Sequence, residues 1–380
     1  MIEERESGMV EIREINSVGE LKKFVDFHNE MYRDNPYAIP DLRMDELNNL
    51  RRDKNPAFEY CETRYFLAYR EGRIVGRIAG LINHAANEKW GKKDMRFCRL
   101  DFIDDEEVSA ALFGAVEDWA RERGLERTVG PIGFCDLDKQ GMLIEGFEEQ
   151  DLFITIYNAP YYVRHLEKLG YGKEVDWLEF RIKIPRGVEE RIQNLSDRII
   201  QRNNLKILDI TKTREIRPYV RPLFELINEA YEELYGTVPL TEKQMTWYVG
   251  QFLTLLNPRL VKVIVDEDGK AVGMGVAAPS LGEPLKKSNG RLFPFGFIGV
   301  LRAIRKPKVM NLFFIAVAKK YLNQGLPAIL MQAMTVSANK LGIEYAETGP
   351  ELEVNEKVRA VWKPYESRQH RRRRCFAKEL

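Results

Sequence analysis

The chain has 380 residues, 44% of them apolar, the size and composition of two ordinary globular domains with buried cores. Lys plus Arg (59) and Asp plus Glu (58) cancel to a formal charge of +1, which excludes a global field drawing the protein onto nucleic acid or an anionic membrane, so any basic site is local. The four cysteines, Cys61, Cys98, Cys135 and Cys375, lie far apart without C-x-x-C spacing, which argues against a metal site or a disulfide framework and fits a reducing cytoplasm.

The start MIEERESGMVEI is charged where a secretory signal needs an apolar core. No later stretch approaches about 18 uninterrupted apolar residues, so a cytoplasmic protein without stable membrane insertion is expected. EGRIVGRIAGLI (71–82) reads as an acidic-Gly-basic hairpin turn followed by a strand with a glycine inside it. RLDFIDDEEVSAALF (99–113) places Asp104, Asp105, Glu106 and Glu107 at a helix start, and ALFGAVEDWARERGLERTVGPI (111–132) continues as an amphipathic helix, a Gly stop, a strand and Gly-Pro. Asn158 precedes the helix in APYYVRHLEKLGY, on which His165 reads as a solvated or capped surface group. FRIKIP ends a strand at Pro185, VEERIQNLSDRIIQRNN is a charged helix, and LKILDIT (205–211) opens a new set of strands.

The second half then echoes the first. DGKAVGMGVAAP (268–279) repeats the hairpin, AILMQAMTVSANKLGIEYAETGPE (328–351) repeats helix, Gly stop, strand and Gly-Pro, and Asn355 again precedes a helix. Matching elements lie about 200 residues apart, a period suited to domain duplication rather than a solenoid. The expectation is an α/β (α+β) chain of tandem domains, 1–186 and 187–380, each a mixed central β-sheet flanked by helices.

Both halves resemble the GNAT superfamily of acyl-CoA-dependent N-acyltransferases. That family carries a strand ending in a pattern like V-x-P-x-Y-R-G-x-G-I-G that passes into a helix, whose first N–H groups bind the CoA pyrophosphate. Here VAKKYLNQGLPAIL supplies Val317, Tyr321, Gly325 and Leu326 of the pattern, and Asn355 stands where the family places an Asn before the next helix. The resemblance covers most of the chain as a tandem repeat, closest to two-domain members of unassigned substrate. It implies a cofactor, acetyl-CoA or another acyl-CoA, held by Phe314, Ile315, Val317, Tyr321, Asn323, Gln324, Gly325, Leu326 and Asn355. It also implies a small-molecule or peptide amine as acceptor.

A helix start favours anions, and Lys319 and Lys320 beside the second loop do nothing to repel them. The acidic start in the first half would repel a pyrophosphate, so only 187–380 is expected to bind CoA. Leu322 and Pro327 depart from the pattern and remove two donors, and Trp362 replaces the tyrosine that the family uses as an acid. Acyl transfer needs a base and an acid. Glu347, with Glu351 and Glu353 nearby, is the expected base, and Tyr365 the expected acid. The departures keep a second reading open, an inactive GNAT-fold binding or scaffold protein, and the duplicated architecture a third, aminoacyl transfer from a charged RNA.

Two segments remain. NGRLFPFGFIGVLRAIRKPKVM (289–310) mixes phenylalanines, glycines and prolines, and reads as a lid or wall of an apolar acceptor pocket, a packed strand insertion, or a subunit contact in a homodimer. Its basic flank also allows a peripheral membrane contact. The arginine run in RQHRRRRCFAKEL reads as a strand with half its arginines on a solvated face, which argues against nucleic-acid binding.

Overall fold

A computed structural model describes residues 8–187, 190–322 and 324–380. The chain divides into two units: residues up to Trp177 with Asn289–Arg291 and Arg372–Leu380, and Leu178–Ser288 with Leu292–Arg371. This differs from a division at 186/187, because the boundary lies inside a strand and residues 372–380 return to the first unit.

The first unit contains β1 (Glu11–Glu14), β2 (Cys61–Arg70), β3 (Arg73–Asn83), β4 (Asp94–Phe102), β5 (Arg127–Gly130), β6 (Met142–Glu145), the start of β7 (Gly172–Lys183) and most of β14 (Ser367–Glu379). Strands β1 to β5 are neighbours in chain order, and β14 pairs with both β5 and β6. Only β4 and β5 run parallel among these pairs. The helices are α1 (Val18–Met31), α2 (Arg43–Asn49), α3 (His84–Trp90), α4 (Glu106–Glu122) and α5 (Tyr161–Lys168). The β2–β3 turn is made by Glu71 (φ 50°) and Gly72 (φ 75°), two successive left-handed residues that match the twist of a hairpin. Helix α4 buries Val108, Leu112, Val116, Trp119 and Ala120, a stripe at three- and four-residue spacing, against the sheet. Gly80 permits that approach, since a Cβ there would lie 2.9 Å from the Trp119 ring. Leu21, Phe24 and Val25 of α1 form a second apolar cluster with Leu47 and Leu67.

Between these layers the unit buries charge. The Arg99 guanidinium bonds Asp138 twice at 2.6 Å and Glu46 at 2.9 Å, while Arg77 (2.7 Å) and His28 (3.0 Å) share Asp101. Burial opposes ionisation of Asp138, but the Arg99 charge more than offsets it and holds the carboxyl below its usual range. Removing one partner of such a pair strands the other in a dry site. Asp138→Ala is therefore expected to cost about 3–5 kcal/mol, read as a lowered urea midpoint.

The second unit contains α6 (Glu190–Arg202), β8 (Lys206–Leu208), α7 (Thr213–Ile216), α8 (Val220–Ala230), α9 (Glu242–Phe252), β9 (Val261–Val265), β10 (Ala271–Pro279), α10 (Gly282–Ser288), α11 (Gly296–Arg305), β11 (Val309–Val317), α12 (Leu326–Leu341), β12 (Tyr345–Thr348), β13 (Glu351–Leu352) and α13 (Glu356–Trp362). Its sheet runs β7, β12, β11, β10, β9, β8, with β11 and β12 parallel. Helix α12 plays the part of α4: Leu330, Met331 and Met334 face the sheet, and a Cβ on Gly275 would collide with the Met334 methyl. Both helices stop at left-handed glycines, Gly124 (φ 66°) and Gly342 (φ 72°). Each unit is thus a mixed sheet flanked by helices.

Two sequence expectations need correcting. The 289–310 segment is not a strand insertion, since Gly296–Arg305 is helical and ends one residue before Lys306-Pro307. The arginine run does alternate along β14, yet the outward half, Arg372 and Arg374, is half-buried rather than on a solvated face, and the inward half forms buried ion pairs. Arg371 bonds Glu179 at 2.6 Å, Arg373 bonds Asp151, and even the half-buried Arg372 and Arg374 are held by Asp176.

Candidate active site

In the second unit β11 and β12 pair only from Val309↔Tyr345 to Leu312↔Thr348. Strand β12 then stops before Gly349-Pro350, while β11 continues to Val317 with β10 as its ladder partner. A register shift opposite Val276/Ala277 leaves Phe313 as an extra residue in β11, a bulge that bends β11 at the point of parting. The main chain of Phe314 to Val317 thus borders an opening on the β12 side. The chain then makes a short 3-10 turn, Lys319–Tyr321, reaches Gly325 in the left-handed region (φ 77°) and enters α12. Helix α12 has as its N-cap Gly325, which offers no side chain, and among the described residues no side chain is seen to cap it. Its first-turn N–H groups, less the one Pro327 lacks, are those that normally seek an external acceptor.

The expected cofactor residues divide by what they can offer. Phe314 and Ile315 are half-buried at the opening. Val317, Tyr321 and Leu326 pack with Leu205, Ile264 and Leu330, and the Tyr321 main chain is taken up locally, its N–H donating to Ala318 O (2.8 Å) and its O accepting from Gln324 N (3.1 Å). Gln324 spends its amide N–H on Lys320 O (3.0 Å), and Asn355 caps α13 by accepting from Val358 N at 3.3 Å. Asn323 lies outside the described residues. Lys319 is shared with Glu232 at 3.3 Å, and the Lys320 ammonium lies over the Tyr321 ring.

Glu347 is buried, with Arg181 at 3.7 Å and Arg371 at 3.8 Å, so its charge is already matched. Glu351 differs. Both its oxygens accept from Trp362 Nε1 at 2.9 Å, and its pKa is pushed up to about 8, chiefly by burial, with the Glu179 charge adding and Trp362 and Arg359 opposing. Trp362, the residue standing in place of the family's tyrosine, thereby orients a carboxyl that titrates near neutrality. Tyr365 follows α13, packs half-buried on the cluster containing Trp362 and Met331, and has its pKa raised by burial. Sequence reasoning missed Asn311, which sits in register with Glu347 and is 1% exposed with both amide atoms lacking a hydrogen-bond partner among the described residues. A lone Asn in the apolar run VMNLFFIAV was its only signal.

The corresponding place in the first unit is filled by the chain itself. Strands β4 and β5 pair from Asp94↔Arg127 to Arg96↔Val129 and then part. Tyr162 Oη accepts from Phe102 N at 3.0 Å, and Tyr161 Oη donates to Phe102 O. Asp105 caps α4, accepting from Glu107 N (3.0 Å) and Val108 N (3.2 Å), and Arg70 bonds Asp105 and Glu107 from outside. His165, expected at the surface, is 1% exposed, wedged between Ser109 (2.8 Å) and Asp104 (2.8 Å). Asn158 does not cap α5 but accepts from Leu143 N, leaving Pro160 at the helix start. Among the described residues no group of three His, Cys, Asp or Glu is placed to hold a metal ion.

The model of the acetyltransferase (GNAT) family matches residues 220–365, the stretch with the parted strands, the α12 start and Glu351. A tandem GNAT protein from the clavulanic acid biosynthesis pathway superposes over 97% of this chain and 98% of its own, with a TM-score of 0.56 at 14% identity. The chain belongs to the GNAT superfamily, in its tandem-domain form. Two curated relatives align along most of it. Protein YghO of Escherichia coli is 30% identical over 76% of this chain and 73% of its own. The bacterial ceramide synthase of Caulobacter vibrioides is 27% identical over 96% of each. GNAT membership makes this a member of an acyltransferase family, and no described helix is long and apolar enough to cross a membrane.

Proposed function

We propose that the chain is an N-acyltransferase whose second unit takes an acyl group from acyl-CoA and whose Glu351 accepts the proton of the attacking amine. The observation carrying this reading is the contrast between the two parted-strand sites. Asp105, Tyr161 and Tyr162 occupy the first, whereas among the described residues no side chain caps the start of α12, and Gly325 brings the backbone there without a side chain. Phe314 to Val317 would hold the pantetheine by their main chain, and the N–H groups after Gly325 would hold the pyrophosphate. Bound there, acyl-CoA supplies an activated thioester. Glu351, with a proton affinity near that of a neutral-pH base, suits removal of the amine proton, and Tyr365 keeps a proton at neutral pH that the leaving sulfur needs. Glu347, already matched by two arginines, is the weaker base candidate.

A ceramide synthase makes the amide of a long-chain amine. The relative of that name makes long-chain amines and long-chain acyl-CoAs the first substrates to try. Calorimetric titration with acetyl-CoA and a long-chain acyl-CoA, followed by CoA-release assays across an amine panel, tests the reading. Binding of neither thioester sinks it, and binding without CoA release from any amine favours the non-catalytic alternative.

A further inference from the structure

From Pro284 to Ile343 the sequence contains no Asp or Glu, although acidic and basic residues balance over the whole chain. The start of this stretch carries the most exposed aromatic side chains of the second unit. Phe293 is 80% and Phe295 74% exposed, and Phe297, Ile298 and Leu301 continue the apolar surface onto α11. Helix α11 is anchored from beneath: Val300 is buried, Ala303 and Ile304 are half-buried, and Asn257 donates to Ile304 O at 3.0 Å. Its outward face then changes along the axis, with Ile298 and Leu301 giving way to Arg302 and Arg305, followed by Lys306 and Lys308. All four cations are exposed, and none pairs with a carboxylate among the described residues.

We propose that Phe293–Lys308 docks the protein on the surface of an anionic lipid bilayer. Arg305 stands about 10 Å along the helix axis from Ile298, so a helix docked by its phenylalanine end holds its basic end back at the headgroup level. The phenylalanine end enters the acyl boundary while the guanidinium and ammonium groups stay among the phosphates. The buried end brings few orphan donors with it, because Phe297 N bonds Leu292 O (2.8 Å) and Ile298 N bonds Phe295 O (3.1 Å). The carboxylate-free stretch removes the groups that headgroup phosphates would repel, so charge complementarity favours a lipid surface over a second copy of a chain that is nearly neutral overall.

The test is flotation of the full-length protein with vesicles of phosphatidylethanolamine and phosphatidylglycerol, against vesicles of phosphatidylcholine. The parent protein is expected to float with the anionic vesicles, less so as salt is raised. Phe293→Ser with Phe295→Ser is expected to lower partitioning at least about tenfold. Arg302→Gln with Arg305→Gln is expected to lower it about fivefold for each charge removed, and on anionic vesicles alone. These side chains are exposed, and an unchanged melting temperature verifies that each variant folds. Failure of the parent to float overturns the proposal, as does flotation indifferent to the two phenylalanines. So does a dimer, seen by sedimentation, that the serine variant dissociates without any effect on vesicles. Acyl-CoA binding is measured without lipid, so docking and acyl transfer can fail separately.

Discussion

Gly325→Glu is expected to weaken acyl-CoA binding by about a hundredfold while leaving the fold intact. The substitution has two parts that a control separates. At φ 77° any side chain is strained by about 1–2 kcal/mol, which Gly325→Ala reports by itself. Space is not the obstacle, since a Cβ would lie 3.6 Å from Ile199 Cδ1, an ordinary contact. What Glu adds is a carboxylate at the α12 start, which follows the parted strands and, among the described residues, has no capping side chain. It would occupy the donors and repel a diphosphate, as Asp105 does at the start of α4. Calorimetry with the parent, Ala and Glu forms reads the series. Equal affinity of the Ala and Glu forms would remove the anion site from this loop.

Glu351→Gln is expected to lower kcat/KM by about 10²- to 10⁴-fold, and Glu347→Gln far less. The parent's kcat/KM should rise with pH to an inflection near the Glu351 value of about 8, a limb that the Gln form loses. The same group leaves a signature in stability. Its ordinary pKa of 4.5 applies in the unfolded chain and about 8 in the folded one, so folding takes up a proton between those values. Stability conferred by the protonated carboxyl is complete below 4.5 and is lost as pH rises toward 8. Gln cannot ionise, so the variant should match the parent at low pH and exceed it above pH 8, by on the order of 5 kcal/mol. Thermal melts across that range measure the difference. A constant difference would mean that Glu351 is ionised throughout, and would leave the proton acceptor to Glu347.

The duplicated architecture was legible because its signals are local. An acidic-Gly turn, a Gly stop and helix periodicity depend on neighbouring residues, and so did the acidic start of α4, where Asp105 does bind its own helix. Depth was not legible. Alternation told which arginines of β14 point together, but not that Arg371 and Arg373 would be the most buried of them, because burial is set by strands far off in sequence. His165 was misjudged for the same reason, since its partners Ser109 and Asp104 lie 56 and 61 residues away in the sequence. Glu347 and Glu351 look alike in YAETGPELEV. Only the arginines beside one and the indole beside the other separate an ion pair from a titrating acid.

The return of residues 372–380 to the first unit orders events in time. A ribosome that has completed residue 177 has made every helix of that unit but not the strand that pairs with both β5 and β6. Until Arg373 emerges, Asp151 lacks the guanidinium that bonds it in the interior. The first unit therefore waits, with an open sheet edge, while the whole of the second is synthesised. A fragment ending near residue 186 is for the same reason not a domain but an unfinished one, and a label fused after β14 sits on the first unit rather than on the second.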